Sequence, residues 1–273
     1  MDKISGKTFW IIGASSGIGA ALARELALRG ATLILSGRRQ VKLEALRDEL
    51  YAQGQNQHKV IAFDAGDLEQ FQQAFAQVTQ FTESLDSAIY MAVSYKTGQR
   101  GTKQNGKPLD KASQEHLEFV AQSLSVNIAG AYILRALTVP LFKQQGHGQL
   151  VLCGSLAGYR GMPYAQPYCA SKAALINMAE SFRIELSADK IDVKLISPGF
   201  VRTALTDLND FPMPMMIEAP AAAQRIADGL ISRKFEITFP MRFSLIMKLI
   251  RLLPSGLYFQ LSKRITLKAI RSN

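Results

Sequence analysis

Short runs of apolar residues alternate along the chain with longer stretches in which apolar residues recur every three to four positions. The short runs predict seven strands, at 8–12, 32–36, 60–63, 87–91, 150–153, 192–196 and 236–239. The longer stretches predict helices at 18–29, 41–50, 68–81, 113–144, 167–187 and 220–232. This alternation implies an α/β fold at residues 1–240, a single doubly wound Rossmann-type domain with a mainly parallel sheet of about seven strands.

The long helix at 113–144 and the region after residue 240 need separate comment. Asp110 or Ser113 would cap the long helix, and Pro140 predicts a bend or a break within it. Residues 241–273 contain apolar residues at helical spacing, interrupted by basic ones, and a break at 254–256. We therefore predict a basic amphipathic helical extension at the C-terminus.

Charge separates this extension from the rest of the chain. The net charge is +10, and residues 233–273 contain nine basic residues and one acid, which leaves the body nearly neutral. A nucleic-acid-binding body is therefore not expected. Two interpretations of the extension stay open: an anchor on anionic lipid at the inner face of a membrane, or helices that dock on the domain or on a partner subunit.

Composition excludes several other classes. The 273 residues are 48% hydrophobic and 20% charged, which is too apolar for a disordered protein. Two cysteines do not make a disulfide framework and fit a reducing, cytoplasmic compartment. Three scattered histidines argue against a metal site, and no metal is expected. Neither an export signal nor an apolar run of about 18 residues is evident.

A glycine-rich turn joins the first strand to the first helix. It has the spacing G-x-x-x-G-x-G and contains Gly13, Ser15, Ser16, Gly17, Ile18 and Gly19. Glycines at such a point let backbone N–H groups approach a pyrophosphate, whose charge the helix N-terminus favours. The turn predicts a dinucleotide site.

The second strand ends in Arg38 and Arg39, where an NAD site would carry an acid for the ribose 2′-hydroxyl. Two guanidiniums suit a 2′-phosphate instead, so we expect NADP(H) to be preferred over NAD(H). The alternative is a solvated pair at a helix start. Asp64, after the third strand, is a candidate for the adenine amino group or for a turn.

Tyr168 and Lys172 are spaced i, i+4 and therefore share one helix face. A nearby ammonium favours phenolate and would lower the tyrosine pKa, which suits proton exchange with a carbonyl oxygen. Ser155, at the end of the fifth strand, would lie at the same sheet edge and bond that oxygen. Asn127, in the long helix, is a buried amide that could hold a water.

With these motifs in this order, followed by ISPGFVRT at 196–203, the chain from about residue 7 to 239 resembles the short-chain dehydrogenase/reductase family. The resemblance implies that Tyr168 is the general acid–base, that Ser155 orients the carbonyl, that Lys172 binds the nicotinamide ribose and that Asn127 anchors a proton-relay water. It also implies further residues at the cofactor: Ala92, Pro198, Gly199, Val201 and Thr203. It implies a homodimer or homotetramer, with the helices at 113–144 and 167–187 in the interface.

The chain departs from the family pattern at two points. Tyr90-Met91-Ala92-Val93 stands where family members carry Asn-Asn-Ala-Gly, and Ile12 stands where threonine is usual. The segment 94–111 is long and basic, with Lys96, Arg100, Lys103, Lys107 and Lys111. The segment 206–220 is apolar and rich in methionine, and contains Leu208, Phe211, Met213, Met215 and Met216. Flexible methionines favour a pliable apolar pocket.

The leading hypothesis is an NADPH-dependent carbonyl reductase, or alcohol dehydrogenase in reverse, that acts on a small lipophilic substrate. The basic segment 94–111 supports a second hypothesis, a 3-ketoacyl-thioester reductase. The altered residues at 90–93 and the C-terminal extension support a third, a non-catalytic cofactor-sensing protein.

Overall fold

The computed structural model describes residues 4–52, 57–95, 114–163, 165–209 and 212–271, and the side chains among them except those of 114–116 and 265–271. Strands in chain order are β1 (Thr8–Ile12), β2 (Thr32–Gly37), β3 (Lys59–Ala62), β4 (Ser87–Tyr90), β5 (Gly148–Cys153), β6 (Ile191–Pro198), β7 (Val201–Arg202), β8 (Ile217–Glu218) and β9 (Glu236–Phe239). Helices are α1 (Gly17–Leu28), α2 (Gln40–Ala52), α3 (Leu68–Phe81), α4 (Gln114–Leu124), α5 (Gly130–Gln145), α6 (Tyr168–Glu185), α7 (Ala219–Leu230), α8 (Met241–Leu252) and α9 (Ser255–Arg271).

Seven of the strands form one parallel sheet in the order β3-β2-β1-β4-β5-β6-β9. The predicted doubly wound α/β fold is confirmed. The strand order reverses between β1 and β4, and in open α/β sheets ligands bind at the carboxyl ends of the strands at such a point. The strands β7 and β8 pair separately.

The sheet is covered on both faces, which explains why its strands are almost wholly apolar. One core cluster includes Leu22 and Leu26 of α1 together with Ile226 of α7. The other face packs against α3, α5 and α6, and Phe71 and Phe142 are fully buried there. Helix burial thus follows the predicted apolar stripes.

The long helix differs from its prediction. Pro140 lies inside α5 and does not break it, whereas a π-helical segment at Ser125–Ala129 separates α4 from α5. The π-helical segment contains Asn127, which lies next to the chain that leaves the carboxyl end of β4. Asp110, Ser113 and the basic segment 96–111 lie outside the described residues.

The helix α8 packs against the edge of the sheet that ends in β9, and α9 contacts the loop at Arg160 and Gly161. The inner side of α8 buries Ser244 and Met247, and Lys248 forms an ion pair with Glu236 of β9 at 2.7 Å. Tyr258 of α9 is buried and donates a hydrogen bond to the carbonyl of Gly161. The predicted division at residue 240 stays a prediction.

Within the described ranges, the stretch Leu117–Gln145 has the length and hydropathy of a membrane-crossing helix. Its position explains that composition. Leu134 and Phe142 are fully buried on the sheet, and Asn127 lies at the catalytic edge. The stretch is a core helix of the domain.

Candidate active site

The turn after β1 leaves no room for a side chain at two of its glycines. The N–H groups of Gly13 and Ala14 donate to the carbonyl of Ser36 at 2.8 and 3.0 Å. Gly13 has φ +102°, and a Cβ there would lie 2.7 Å from the backbone of Ala92. A Cβ on Gly19 would lie 2.2 Å from the Gly13 carbonyl oxygen. Glycine is required at both positions because backbone occupies the space on each side.

The N-terminus of α1 faces this turn. Ser16 is the N-cap residue, and its side chain makes no capping hydrogen bond to the helix. Gly17 has φ +57°, and a Cβ there would lie 3.3 Å from Thr203, which brings the segment after β6 against the turn. Ile18 packs partly buried on the core below. The uncapped N–H groups of the first helical turn suit a pyrophosphate.

The two arginines after β2 differ in their contacts. Arg39 donates to the hydroxyls of both Ser15 and Ser16. The side chain of Arg38 is 57% exposed and lies 3.9 Å from a carboxylate oxygen of Asp64. The other oxygen of Asp64 accepts from the N–H of Gly66 at 2.9 Å, so its turn role is observed. Arg39 has hydroxyl partners within the described chain, which leaves its positive charge available to a phosphate.

Tyr168 begins α6, and Lys172 follows one turn later on the same face. Ser155 is the last residue before a short 3₁₀ helix, Leu156–Gly158, and its hydroxyl accepts the N–H of Ala157 at 3.1 Å. Close packing of that segment on α6 depends on Gly158, where a Cβ would lie 2.7 Å from the backbone of Lys172. The Ser155 side chain thereby lies beside that of Tyr168 and lowers the tyrosine pKa, against the larger effect of burial.

Burial governs the protonation of this pair. Burial raises the pKa of Tyr168, and the neighbouring Ser155 side chain acts in the opposite direction. Burial also lowers the pKa of Lys172, whose ammonium donates to the Cys153 carbonyl at 2.7 Å. The Lys172 nitrogen lies 5.7 Å from the centre of the tyrosine ring. The net direction for Tyr168 is therefore opposite to the lowering that the i, i+4 spacing predicted, because desolvation of the phenolate is the largest cause.

Asn127 is fully buried in the π-helical segment and links three parts of the chain. Its amide oxygen accepts from the N–H of Ser94 at 2.7 Å, and its amide nitrogen donates to the Ser94 carbonyl at 3.0 Å. The same nitrogen lies 3.2 Å from the hydroxyl of Ser171, which in turn donates to the Tyr168 carbonyl. Asn127 therefore joins the end of β4 to the start of α6.

Tyr90 supports this π-helical segment from below, which explains the departure at the end of β4. Its buried hydroxyl donates to the carbonyl of Val126, next to Asn127. A Cβ on Gly130 would lie 2.1 Å from that hydroxyl, so glycine provides the space the ring needs. Ser125 adds a bond to the Gly66 carbonyl at 2.8 Å. From the sequence, Tyr90 is only a departure from the family pattern, and this contact was not predicted.

Tyr95 is a second residue that sequence reasoning missed. Its ring meets the ring of Tyr168 edge-on, with centres 5.1 Å apart, and its hydroxyl donates to Asn209 at 2.7 Å. The contact joins the end of β4 to the segment after β7, across the catalytic tyrosine. The available signal was an aromatic residue five positions after the end of β4, at the edge where the catalytic residues were expected.

The segment after β6 completes the edge. The Ser155 hydroxyl lies 3.4 Å from the Pro198 carbonyl, and Gly199 donates to the Phe239 carbonyl at 2.7 Å. Val201 is buried, and Thr203 approaches the glycine turn as described above. These contacts place the predicted cofactor positions and the predicted catalytic positions along the carboxyl edge of the sheet, where open α/β sheets have their ligand crevice. A glycine cradle, an uncapped helix start and a Tyr–Ser–Lys group fit a nicotinamide dinucleotide.

Comparison with known proteins agrees with this geometry. Residues 7–210 match the family model for short chain dehydrogenases. An uncharacterized oxidoreductase of Myxococcus xanthus is 32% identical over 265 residues, which cover 97% of this chain and 100% of that protein. A 3-oxoacyl-acyl-carrier-protein reductase of Rickettsia bellii is 30% identical and aligns over 77% of this chain and 79% of its own.

Solved structures show the same fold. A short-chain dehydrogenase from Sphingobium yanoikuyae in complex with NADPH superposes with a TM-score of 0.74 at 23% identity, over 91% of this chain and 96% of that one. A metagenomic short-chain oxidoreductase in complex with NADP has a TM-score of 0.70 at 24% identity, over 86% and 96%.

Fold and crevice together define a nucleotide-dependent oxidoreductase of the α/β class. The chain belongs to the short-chain dehydrogenase/reductase family, as its sequence predicted. It is accordingly an NAD(P)-dependent oxidoreductase, and the cofactor-sensing hypothesis loses its support.

Proposed function

We propose that this chain is an NADPH-dependent carbonyl reductase that acts on a lipophilic ketone or aldehyde, or on the corresponding alcohol in reverse. The observation that carries the proposal is the grouping of Tyr168 with Ser155 and with Lys172, whose nitrogen lies 5.7 Å from the centre of the tyrosine ring. The nicotinamide supplies the hydride. The chain supplies the binding, the orientation and the proton.

In this proposal Ser155 and Tyr168 both bond the substrate's carbonyl oxygen. The Tyr168 hydroxyl donates its proton to that oxygen as negative charge develops there, which is general acid catalysis. The raised pKa keeps the phenol protonated and ready to donate at neutral pH. Lys172 holds the nicotinamide ribose, and Asn127 positions the start of α6 and anchors the water that returns a proton to Tyr168.

The cofactor preference rests on Arg38 and Arg39. Two exposed guanidiniums, with hydroxyl partners and one distant carboxylate among the described residues, suit a ribose 2′-phosphate. Both structural neighbours described above are NADPH or NADP complexes, which supports the same preference. For Arg38→Ala with Arg39→Ala, we expect the ratio of kcat/KM for NADPH over NADH to fall by at least about tenfold. An unchanged ratio would contradict the preference.

The substrate class rests on the walls of the crevice. The ring of Tyr95 covers one side of Tyr168, and Asn209 holds that ring in place. Leu208 and Met215 are exposed on the segment that follows β7. These surfaces favour an apolar substrate over a sugar or a small acid.

The direct test measures NADPH oxidation with ketones and aldehydes of increasing chain length. We expect kcat/KM to rise with chain length, and Tyr168→Phe to lower kcat by about 10²- to 10⁴-fold. Tyr132→Phe, an exposed tyrosine on α5, is the matched control and is expected to keep full activity. Full activity in Tyr168→Phe would overturn the proposal.

A 3-ketoacyl-thioester reductase is the second candidate, favoured by the 30% identical Rickettsia relative and by the basic residues at 96–111. This candidate predicts turnover of acetoacetyl thioesters that falls as salt is raised, because the screening length shortens to about 3 Å at 1 M. Turnover of long-chain ketones at rates independent of salt would favour the first candidate.

For assembly and location we propose a cytoplasmic homodimer formed through α5 and α6. Tyr132 of α5 and Ile184 of α6 are large and exposed, which supports an interface there. Cys153 and Cys169 are buried free thiols, as suits a reducing compartment. Light scattering should give a molar mass of twice the 30.0 kDa chain mass. For the Ile184→Asp variant it should give the mass of a single chain.

A further inference from the structure

The outer side of α8 is apolar and uncovered. Exposed apolar residues recur along it with the spacing of one helix face: Met241, Leu245, Leu249 and Leu252, of which the last three are 55%, 63% and 79% exposed. The opposite side, with Ser244 and Met247, is buried on the domain. A helix that is apolar on both sides is normally covered on both, so the outer side requires a second apolar partner.

The two helices at the C-terminus are also strongly basic. Residues 241–273 contain seven basic side chains and no acidic one. Lys248 is paired with Glu236, and Arg251 lies over the ring of Tyr159 at 5.7 Å. Within the described residues, Arg242, Lys263 and Arg264 are exposed and no carboxylate pairs with them. The partner must therefore be apolar and also carry negative charge.

A second copy of this chain does not meet that requirement. A two-fold contact would place the same basic patch against itself, and the charges would repel. An anionic lipid surface combines an apolar interior with negative headgroups, which attract the basic residues near it. Charge complementarity thus selects a lipid surface.

The inner contacts of α8 lead directly to the catalytic crevice. Phe243 stacks on Phe200, with ring centres 5.6 Å apart, and Phe200 lies two residues after Pro198, whose carbonyl is 3.4 Å from the Ser155 hydroxyl. Arg160, in the loop between Ser155 and Tyr168, donates to the Leu253 carbonyl at 2.7 Å. The C-terminal helices are therefore fastened to the rim of the site.

We propose that the outer face of α8, with the exposed cations of residues 242, 263 and 264, binds an anionic membrane surface. This orientation holds the rim of the crevice next to the lipid, from which a lipophilic substrate can enter. Membrane binding stands on the contacts above alone, whereas substrate entry also rests on the proposed function.

The test is co-sedimentation of the purified full chain with phosphatidylcholine vesicles, with and without about 30 mol % phosphatidylglycerol. We expect binding only with phosphatidylglycerol. Leu245→Ser with Leu249→Ser should weaken it by at least about tenfold. The matched control is Val41→Ser with Leu68→Ser, two exposed apolar residues on α2 and α3, which should bind as the wild type does.

A set of charge variants tests whether the basic residues contribute to membrane binding. Replacing Arg242, Lys263 and Arg264 by Gln should lower binding roughly 100-fold. The same change at Lys59, Arg225 and Arg233, three exposed cations on other elements, should alter it by less than about threefold.

Absence of vesicle binding by the wild type would overturn the proposal, and so would equal binding by the Leu245→Ser with Leu249→Ser variant. Self-association that this variant abolishes, without vesicle binding, would assign the face to a second copy instead. Activity on a water-soluble ketone is expected to be the same in all these variants. If the wild type had no activity on a water-soluble ketone, that result would count against the proposed function. Membrane binding would still be decided by the vesicle experiment.

Discussion

The glycine turn after β1 and the catalytic cluster around Tyr168 lie in one crevice but are built in different ways. In the turn, backbone packs on backbone, and a Cβ at Gly13 or Gly19 would lie within 3 Å of main-chain atoms. The cluster is held by side-chain hydrogen bonds, with Asn127 joined to Ser94 and to Ser171. The turn is a steric arrangement of main-chain atoms, and the cluster is a polar network of side chains from residues far apart in sequence.

This difference predicts different failures. A steric site cannot adjust to one added atom, because backbone on both sides would have to move. A hydrogen-bonded network loses one connection at a time, and each lost bond costs about 1 to 3 kcal/mol when its partner stays buried. Mutations in the turn should therefore affect cofactor binding, and those in the cluster should affect the rate of the chemical step.

Gly19→Ala should give the largest effect. The added Cβ would lie 2.2 Å from the Gly13 carbonyl, so α1 must shift away from the turn. We expect NADPH binding, followed by fluorescence titration, to weaken by about 100-fold or more and Tm to fall. Gly161→Ala, whose Cβ would meet nothing within 4 Å, is the control. An unchanged NADPH affinity in Gly19→Ala would contradict the claim that backbone packing requires glycine in this turn.

Asn127→Ala should act on the chemical step. It removes three hydrogen bonds that join β4 to α6, and we expect kcat to fall about 30-fold while the NADPH affinity changes less than twofold. Gln145→Ala is a matched control at the other end of the helix, since Gln145 makes the same pair of bonds to the backbone of Leu85. Its loss should cost stability and leave kcat unchanged.

Tyr90→Phe should have a smaller effect in the same direction. The ring stays, but the Val126 carbonyl loses its partner, and the π-helical segment that carries Asn127 loosens. We expect kcat to fall about three- to tenfold and the free energy of unfolding by about 1 kcal/mol. A loss of stability with an unchanged kcat would show that Tyr90 has no part in positioning Asn127.

The pH dependence should show the smallest change. Burial raises the pKa of Tyr168, so the phenol stays protonated well above neutral pH. Since ketone reduction uses that proton, its kcat should vary less than about twofold between about pH 6 and pH 8.5. Alcohol oxidation needs the phenolate and should rise with pH over the same range. A reduction rate that falls steeply above pH 7 would mean that Lys172 controls the tyrosine after all.

Much of the fold was predictable because its signals are local. The strands at Thr8–Ile12 and Glu236–Phe239 and the helix Leu68–Phe81 begin and end where apolar periodicity predicted. Pro140 shows the limit of such signals. Local rules predicted a bend or a break there, but α5 continues through it without a break, and the irregular turn lies at Asn127.

The catalytic residue types could also be predicted, but their environment could not. The i, i+4 spacing of Tyr168 and Lys172 is local, whereas the extent of their burial depends on β5, β6 and the segment after β4. Tyr90 and Tyr95 were missed because their partners, Val126 and Asn209, are 36 and 114 residues away. Contacts across such separations leave no periodic trace.

The sequence by itself determined the order of strands and helices, the glycine turn and the family, since each depends on residues close along the chain. Tertiary structure alone decided three properties: the raised pKa of Tyr168, the network around Asn127, and which side of α8 stays exposed. The physical reason is shared. Desolvation, hydrogen bonding between distant residues and surface exposure depend on how the elements pack, and packing exists only in the folded chain.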